Sequence, residues 1–157
     1  MTDTRDISTF YLDGVLFGID VLHVQEILEA QEMTPVPLAA QVVRGLINLR
    51  GEIVMAVDLR DSLNLPLRDA SDESMNVIVS DGEDLASFLV DETSDVLTVD
   101  TTQFELPPPT LSNEAVELIE GVYKLRDTLL IVLDTKKIIA RTTELCEANF
   151  AAMRESV

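Results

Sequence analysis

The chain has 157 residues, the length of a single domain of ordinary size, and 46% of them are hydrophobic. Its 29 Asp and Glu residues outnumber 11 Lys and Arg residues, for a formal net charge of −18. This composition argues against a protein that binds duplex nucleic acid or an anionic membrane surface, because both need a basic face. It also argues against a disordered chain, so we expect a packed core.

The charge is unevenly distributed along the sequence. Residues 69–123 hold 14 acidic residues and no basic residue, whereas 44–68 hold four basic and three acidic residues, a net charge of +1. Residues 124–157 hold six basic and five acidic residues, again a net charge of +1. Two weakly basic segments, around Arg50 and around Lys137, therefore lie in an otherwise acidic chain.

The first elements in chain order are a hairpin and a helix. Two β-rich runs, Ser8–Leu12 and Val15–Gly18, flank Asp13-Gly14, a dipeptide typical of a type I′ turn. Asp20 is a candidate N-cap, and the spacing of the apolar residues that follow predicts a short helix over 21–28.

Strands and short helices follow in the rest of the chain. We predict hairpins from the strand pairs Leu46–Arg50 with Ile53–Val57, Met75–Val79 with Leu85–Val90, and Gly121–Leu125 with Leu129–Leu133. We predict helices over Leu59–Leu63 after Asp58, from Asp134 through Ile139, and from Thr142 onward. Proline-rich or polar segments predict irregular connections at Met33–Pro37, Leu67–Ser74 and Pro107–Pro109.

The two halves of the chain repeat. Gly45 and Gly121 are 76 residues apart, and the same offset relates Arg50 to Arg126 and Asp58 to Asp134. The two Asp-Gly turns correspond at an offset of 68. Similar strand-turn-strand patterning without a true repeat is the alternative. Because small sheets remove their edges by closing, we predict two similar packed β-barrels, at 8–68 and 75–140, followed by a C-terminal helix at 141–157.

The search for catalytic groups gives little. His23 is the only histidine, and the single cysteine, Cys146, stands beside Glu144 and Glu147, which disfavour its thiolate. We expect no catalytic residues, no metal site and no cofactor. A hydrolase that uses two of the many carboxylates remains a distant alternative.

The N-terminus has no signal-peptide pattern and no apolar run reaches membrane-spanning length, so we expect a cytoplasmic protein.

The most distinctive stretch is 43–60, which has two glycines, three arginines and two predicted strands. Arg50 stands at the end of a strand beside a turn glycine. In the structural interpretation, Arg50 pairs with Asp58 or Glu52. In the functional interpretation, Arg50 is an exposed guanidinium that binds the carboxylate of a partner protein.

This stretch resembles the signature of the CheW family of chemotaxis coupling proteins. The residues that carry the resemblance are Phe17–Asp20, Val24–Ile27, Asn48–Gly51, Asp58–Arg60, Val90–Leu97, Glu120-Gly121 and Leu130–Asp134. The resemblance implies two five-stranded SH3-like barrels and no catalysis. It also implies a cytoplasmic adaptor at membrane-associated receptor arrays, which couples chemoreceptors (methyl-accepting chemotaxis proteins) to the regulatory domain of the histidine kinase CheA. Other CheW-like proteins are further partners, in array rings.

The resemblance also assigns residues to each partner. It implies receptor contacts at Arg50, Gly45, Val24 and Glu26. We expect the receptor tip to dock in a groove between the two barrels and to bury apolar residues around Val24 and Leu46. It implies kinase contacts at Gly121 and Ser87. The chain departs from the family pattern at Ser87, where a glycine is usual, and at Met55, where a proline is usual. A CheW-like adaptor of a different chemosensory array is the nearer alternative function.

Overall fold

The computed structural model describes residues 3–36, 40–67, 74–107 and 113–155. In these residues the strands are β1 (Thr4–Leu12), β2 (Val15–Asp20), β3 (Val24–Leu28), β4 (Val43–Leu49), β5 (Glu52–Asp58), β6 (Met75–Ser80), β7 (Leu85–Val90), β8 (Glu92–Asp100), β9 (Phe104–Glu105), β10 (Ile119–Lys124) and β11 (Leu129–Leu133). The helices are α1 (Leu59–Ser62), α2 (Asn113–Leu118) and α3 (Thr135–Glu155), and 3₁₀ turns cover Val21–His23 and Thr101–Gln103.

The strands form two sheets. Sheet A has the order β8-β1-β2-β11-β10-β9, and sheet B has the order β3-β6-β7-β5-β4. Neighbouring strands are antiparallel except at two places, where β2 pairs with β11 and β5 pairs with β7 in parallel. The predicted fold class, mainly β with two packed units, short helices and a C-terminal helix, is confirmed.

The repeat is present in the structure, but the sheets are not built from the two predicted segments 8–68 and 75–140. Sheet A takes its hairpin β1–β2 from the first half of the chain and β8, β10 and β11 from the second half. Sheet B takes its hairpin β6–β7 from the second half and β3, β4 and β5 from the first half. Each half therefore contributes its first hairpin to the sheet of the other half, through the parallel pairings.

The repeat extends to single hydrogen bonds. The amide of Asp58 donates to the carbonyl of Val42 at 2.8 Å, and the amide of Asp134 donates to the carbonyl of Leu118 at 2.8 Å. Asp58 and Asp134 also accept hydrogen bonds from backbone amides in the first turns of α1 and α3. These contacts fix the chain where it leaves the last strand of each repeat and enters a helix.

The repeated glycines allow a neighbouring segment to approach closely. A Cβ atom on Gly45 would lie 2.8 Å from the carbonyl oxygen of Thr34, and one on Gly121 would overlap the ring of Phe104. Both glycines stand at β-bulges in their hairpins. The two positions require glycine because the backbone of Thr34 or the ring of Phe104 occupies the space that a Cβ atom would take.

The ends of each sheet are brought together. The last residues of β8 continue through a 3₁₀ turn into β9, which lies at the other end of sheet A. In sheet B the segment after β3 returns to β4, where Thr34 and Leu46 exchange two backbone hydrogen bonds of 2.8 Å. This curling covers strand edges that would otherwise be open to pairing with another chain.

The largest apolar cluster lies between the sheets. It includes Phe10 and Phe17 of sheet A, Phe88 of sheet B, and Ile138 of α3, all less than 5% exposed. Smaller clusters lie on the other face of each sheet, around Leu130 in sheet A and in sheet B where β4, β5 and β7 contribute Ile47, Ala56 and Leu89. The sheets are therefore held together chiefly by burial of apolar side chains.

Several predicted elements differ from the structure. The helix predicted over 21–28 is wrong, since a 3₁₀ turn over Val21–His23 leads into β3, which pairs with β6. Asp20 caps the turn as predicted, by accepting a hydrogen bond from Leu22. The two predicted C-terminal helices are one helix, α3, and α2 was not predicted. Pro37 and most of the predicted connections at 67–74 and 107–109 lie outside the described residues.

We predict that Gly121→Ala destabilises the protein by about 1–3 kcal/mol, because the added methyl group overlaps the ring of Phe104 and forces β9 away from β10. Chemical denaturation measures the change in the free energy of unfolding. Thr128→Ala, at an exposed position in the same hairpin, is the control and should change stability by less than about 0.5 kcal/mol. Equal effects of the two substitutions would contradict the role of close packing at Gly121.

Candidate partner-binding site

The β4–β5 hairpin presents Arg50 on a tight two-residue turn. Arg50 has φ 52° and Gly51 has φ 90°, so both central residues of the two-residue turn lie in the left-handed region, as in a type I′ turn. The amide of Gly51 donates to the side-chain oxygen of Asn48 at 3.0 Å. The turn lies one residue earlier than the sequence predicted, so Arg50 belongs to the turn and not to the strand.

Arg50 is paired with Glu26. Its Nη2 atom donates to Oε1 of Glu26 at 2.6 Å. Because β3 and β4 are the two terminal strands of sheet B, this contact joins one end of the sheet to the other. The hydrogen bond and the charge of Glu26 raise the pKa of the Arg50 guanidinium above its usual value. The predicted structural pairing with Asp58 or Glu52 is therefore wrong, and the contact brings together two of the predicted receptor residues.

The three arginines of the motif have different environments. Arg44 binds Asp58 at 2.8 Å, and Arg60 binds both carboxylate oxygens of Asp91 through its Nε and Nη2 atoms. The side chains of Arg44, Arg50 and Arg60 are 36%, 72% and 15% exposed. Arg50 is thus the arginine of this motif whose charge is most accessible to a partner.

The remaining predicted receptor residues lie on the same hairpin or on β3. Gly45 is buried beneath the backbone of Thr34, and Leu46 is half-buried and bonded to Thr34. Val24 is half-buried on β3 and packs against the main core. Gly45 can therefore affect a partner only indirectly, by leaving room for the segment at Thr34. The side chains of the other four predicted receptor residues all have some accessible surface.

Sequence reasoning missed Ile53, which is 65% exposed on β5, three residues from Arg50. It stands in the uninterrupted apolar run Ile53–Val57, which is typical of a strand buried on both faces. Only its position directly beside the turn could have indicated exposure. Together with Arg50 it gives the tip of the hairpin a cation and an aliphatic side chain on one short segment.

The predicted kinase residues are both buried. Gly121 lies in sheet A beneath Phe104, whose ring contacts Tyr123 edge to face with centroids 5.5 Å apart. The side chain of Ser87 is fully buried, and its hydroxyl donates to Asn76 at 2.9 Å. An effect of Ser87 on a partner would therefore act through the packing of β6 and β7, and the accessible surface near Gly121 is that of Phe104.

The polar groups considered for catalysis do not converge. His23 lies in the first 3₁₀ turn with Nδ1 3.2 Å from the carbonyl oxygen of Ser80. Cys146 is half-buried on α3 against the main core. In the part of the chain that the structure describes, no group of three or more His, Cys, Asp or Glu side chains is arranged to hold a metal ion.

Comparison with known proteins gives a consistent result. The family model described as the CheW-like domain matches residues 6–143. The chain is 32% identical over 130 residues to the chemotaxis protein CheW of Bacillus subtilis strain 168, covering 83% of each chain. It is 31% identical over 139 residues to CheW of Thermotoga maritima, covering 88% of this chain and 89% of that one.

A solved structure agrees with these sequence matches. The crystal structure of the scaffolding protein TtCheW from Thermoanaerobacter tengcongensis superposes with a TM-score of 0.75 at 29% sequence identity. The match covers 85% of this chain and 90% of that one. The likeness therefore extends over both sheets and not over an isolated motif.

We predict that Ser87→Ala lowers stability by about 1–3 kcal/mol, because it removes the hydroxyl that donates to the buried oxygen of Asn76. Thermal and chemical denaturation measure the loss. Ser94→Ala, at an exposed position on β8, is the matched control and should have an effect below about 0.5 kcal/mol. Full stability in Ser87→Ala would show that the buried hydrogen bond contributes nothing to the fold.

Proposed function

Because the chain belongs to the CheW family and is a scaffold-type chemotaxis adaptor rather than an enzyme, we propose that it couples chemoreceptors to the histidine kinase CheA. One observation carries the receptor side of the proposal. A tight turn presents Arg50, 72% exposed, in contact with Glu26 of β3. An exposed guanidinium held in place by its own protein can bind a carboxylate of a partner with little further loss of freedom.

The receptor surface consists of Arg50, Glu26, Leu46 and Val24, with Gly45 beneath it. The aliphatic side chains supply apolar contact, and Ile53 adds to it at the tip of the hairpin. Arg50 and Glu26 supply opposite charges that fix the register of a partner, since a partner in the wrong register would meet like charges. A receptor tip that offers both apolar and charged side chains fits such a surface.

The kinase surface lies on sheet A around Gly121. Phe104, 37% exposed, and Leu106, 79% exposed, give this end of the sheet an apolar surface. Gly121 contributes to kinase binding indirectly, because the absence of a side chain at this position leaves room for the ring of Phe104. Ser87 contributes through the strand packing of sheet B. The regulatory domain of CheA is the proposed partner, with other CheW-like proteins as further partners in array rings.

The acidic character of the chain fits a protein that selects its partners by charge. Residues 69–123 carry 14 acidic residues and no basic residue, whereas the Arg50 hairpin lies in a segment of net charge +1. Like-charge repulsion by the acidic segment disfavours unrelated acidic proteins and nucleic acid. No described helix has both the length and the apolar character needed to cross a membrane. From the proposed adaptor role, and not from that finding, we propose a cytoplasmic location at membrane-associated receptor arrays.

We predict that Arg50→Ala weakens binding to the cytoplasmic tip of the receptor at least tenfold, by removing a charge-assisted hydrogen bond while leaving the fold intact. Titration of a receptor cytoplasmic fragment with the purified chain measures the dissociation constant, and circular dichroism checks the fold.

Arg126→Ala is the matched control for this experiment, because Arg126 is the repeat counterpart of Arg50 on sheet A. It should leave receptor affinity within twofold of that of the unaltered chain. Receptor affinity that is unchanged in a folded Arg50→Ala protein would remove Arg50 from the receptor surface. Equal losses in the two variants would indicate a general charge effect instead.

A further inference from the structure

A polar cluster joins the two sheets at one side of the main core. It consists of Arg60 at α1, Asp91 between β7 and β8, and Asp13 in the β1–β2 turn, and we name it the inter-sheet clamp. Nε of Arg60 donates to Oδ1 of Asp91 at 3.0 Å, and Nη2 donates to Oδ2 of the same carboxylate. The contact is bidentate, the geometry in which an arginine fixes both the distance and the direction of a carboxylate.

The clamp also holds the chain segments around it. The amide of Asp13 donates to Oδ2 of Asp91 at 2.8 Å, and the amide of Asp91 donates to the carbonyl of Tyr11 at 3.1 Å. Nη1 of Arg60 donates to the carbonyl of Pro66 at 2.9 Å and lies 4.0 Å from Asp13. A single guanidinium therefore connects the exit from sheet B, the hairpin turn of sheet A and the point where the chain passes from one sheet to the other.

The clamp differs in kind from the apolar core beside it. The side chains of Arg60 and Asp91 are 15% and 19% exposed, so the pair is largely shielded from water. Burial of apolar surface is non-directional, so it favours close packing without requiring one particular pair of groups to meet. A shielded bidentate pair is directional, because both of its nitrogen–oxygen contacts and the relative orientation of the two planar groups must be satisfied together.

The internal repeat supplies a natural comparison. Lys136 is the counterpart of Arg60 at the offset of 76 residues, and Asp81 is the counterpart of Asp13. Lys136 makes no ion pair with the described residues, and the pKa of Asp81 is lowered chiefly by hydrogen bonds from the backbone amides of Asp84 and Glu83. The bidentate contact that Arg60 makes with Asp91 therefore has no equivalent at Lys136 among the described residues.

We propose that Arg60 is a positioning residue, which holds sheet A and sheet B at one fixed angle through the inter-sheet clamp. This inference rests on the proposed function, because the receptor surface lies on sheet B and the kinase surface lies on sheet A. A fixed angle between the sheets makes the two surfaces one unit, so that a receptor bound to one sheet sets the orientation of a kinase bound to the other.

The first test measures the angle between the sheets without any partner. Spin labels at Val96→Cys on sheet A and Ile53→Cys on sheet B, both exposed, report the distance between sheets in a Cys146→Ala background. Arg60→Gln should broaden the distribution of this distance, and Arg60→Lys should broaden it less. Lys136→Gln is the matched control and should leave the distribution unchanged. An unchanged distribution in Arg60→Gln would overturn the proposal.

The second test separates positioning from binding. Arg60→Gln should keep the affinity for a receptor fragment, and the affinity for the kinase regulatory domain, each within threefold of the unaltered chain. The same variant should lower receptor-dependent kinase activity in the three-component mixture at least tenfold. Tenfold losses in both separate affinities would show a merely structural role, and unchanged kinase activity would show that the angle does not matter.

The two tests distinguish failure of this inference from failure of the proposed function. If the unaltered chain bound neither the receptor fragment nor the kinase domain, the proposed function would be wrong. The assignment of the clamp as the device that fixes the angle would still be decided by the distance measurement.

Discussion

The parallel pairings β2–β11 and β5–β7 are the constraint on which the rest of this structure depends. Through them each half of the chain gives its first hairpin to the sheet that contains the other half's second hairpin. The large apolar cluster between the sheets then draws on both halves, and the chain passes between sheets at Asp20–Val24 and at Asp91. The two proposed binding surfaces lie on different sheets but on one interlocked framework.

Local pairing decides which charged residues are free to meet a partner. Arg44 and Arg60 belong to the same motif as Arg50, yet both are tied to aspartates that are less than 20% exposed. Arg50 differs because it lies in the type I′ turn at the end of its hairpin, and its side chain binds Glu26 of β3. The motif therefore contains two structural arginines and one accessible arginine, a distinction that their spacing alone does not reveal.

Turn chemistry and the repeat could be predicted because their signals are local. Asp13-Gly14 has the positive φ angles that such a turn needs, and the offset of 76 residues corresponds to matching bulges and caps. The β4–β5 turn lies one residue earlier than predicted, because the positive φ of Arg50 has no signal in the sequence of the kind that a glycine gives. The exchange of hairpins could not be predicted, since the apolar pattern of β1 or β6 is the same whichever sheet it joins. The error at 21–28 has a similar cause, because apolar residues at that spacing suit both a helix and a bulged strand, and pairing with β6 decides between them.

The exchange of hairpins also shapes how the chain must fold. Sheet A contains both the first strand and the last strand, so its closure waits for residues separated by more than a hundred positions, and such non-local pairing slows folding. Sheet B needs only residues up to Val90, so it can form earlier during synthesis.

A fragment with one half of the chain would lack a hairpin for its sheet, and two identical copies could each supply the hairpin that the other lacks, as in a domain-swapped dimer. The internal duplication is thus arranged as such a dimer would be if its two copies were joined into a single polypeptide.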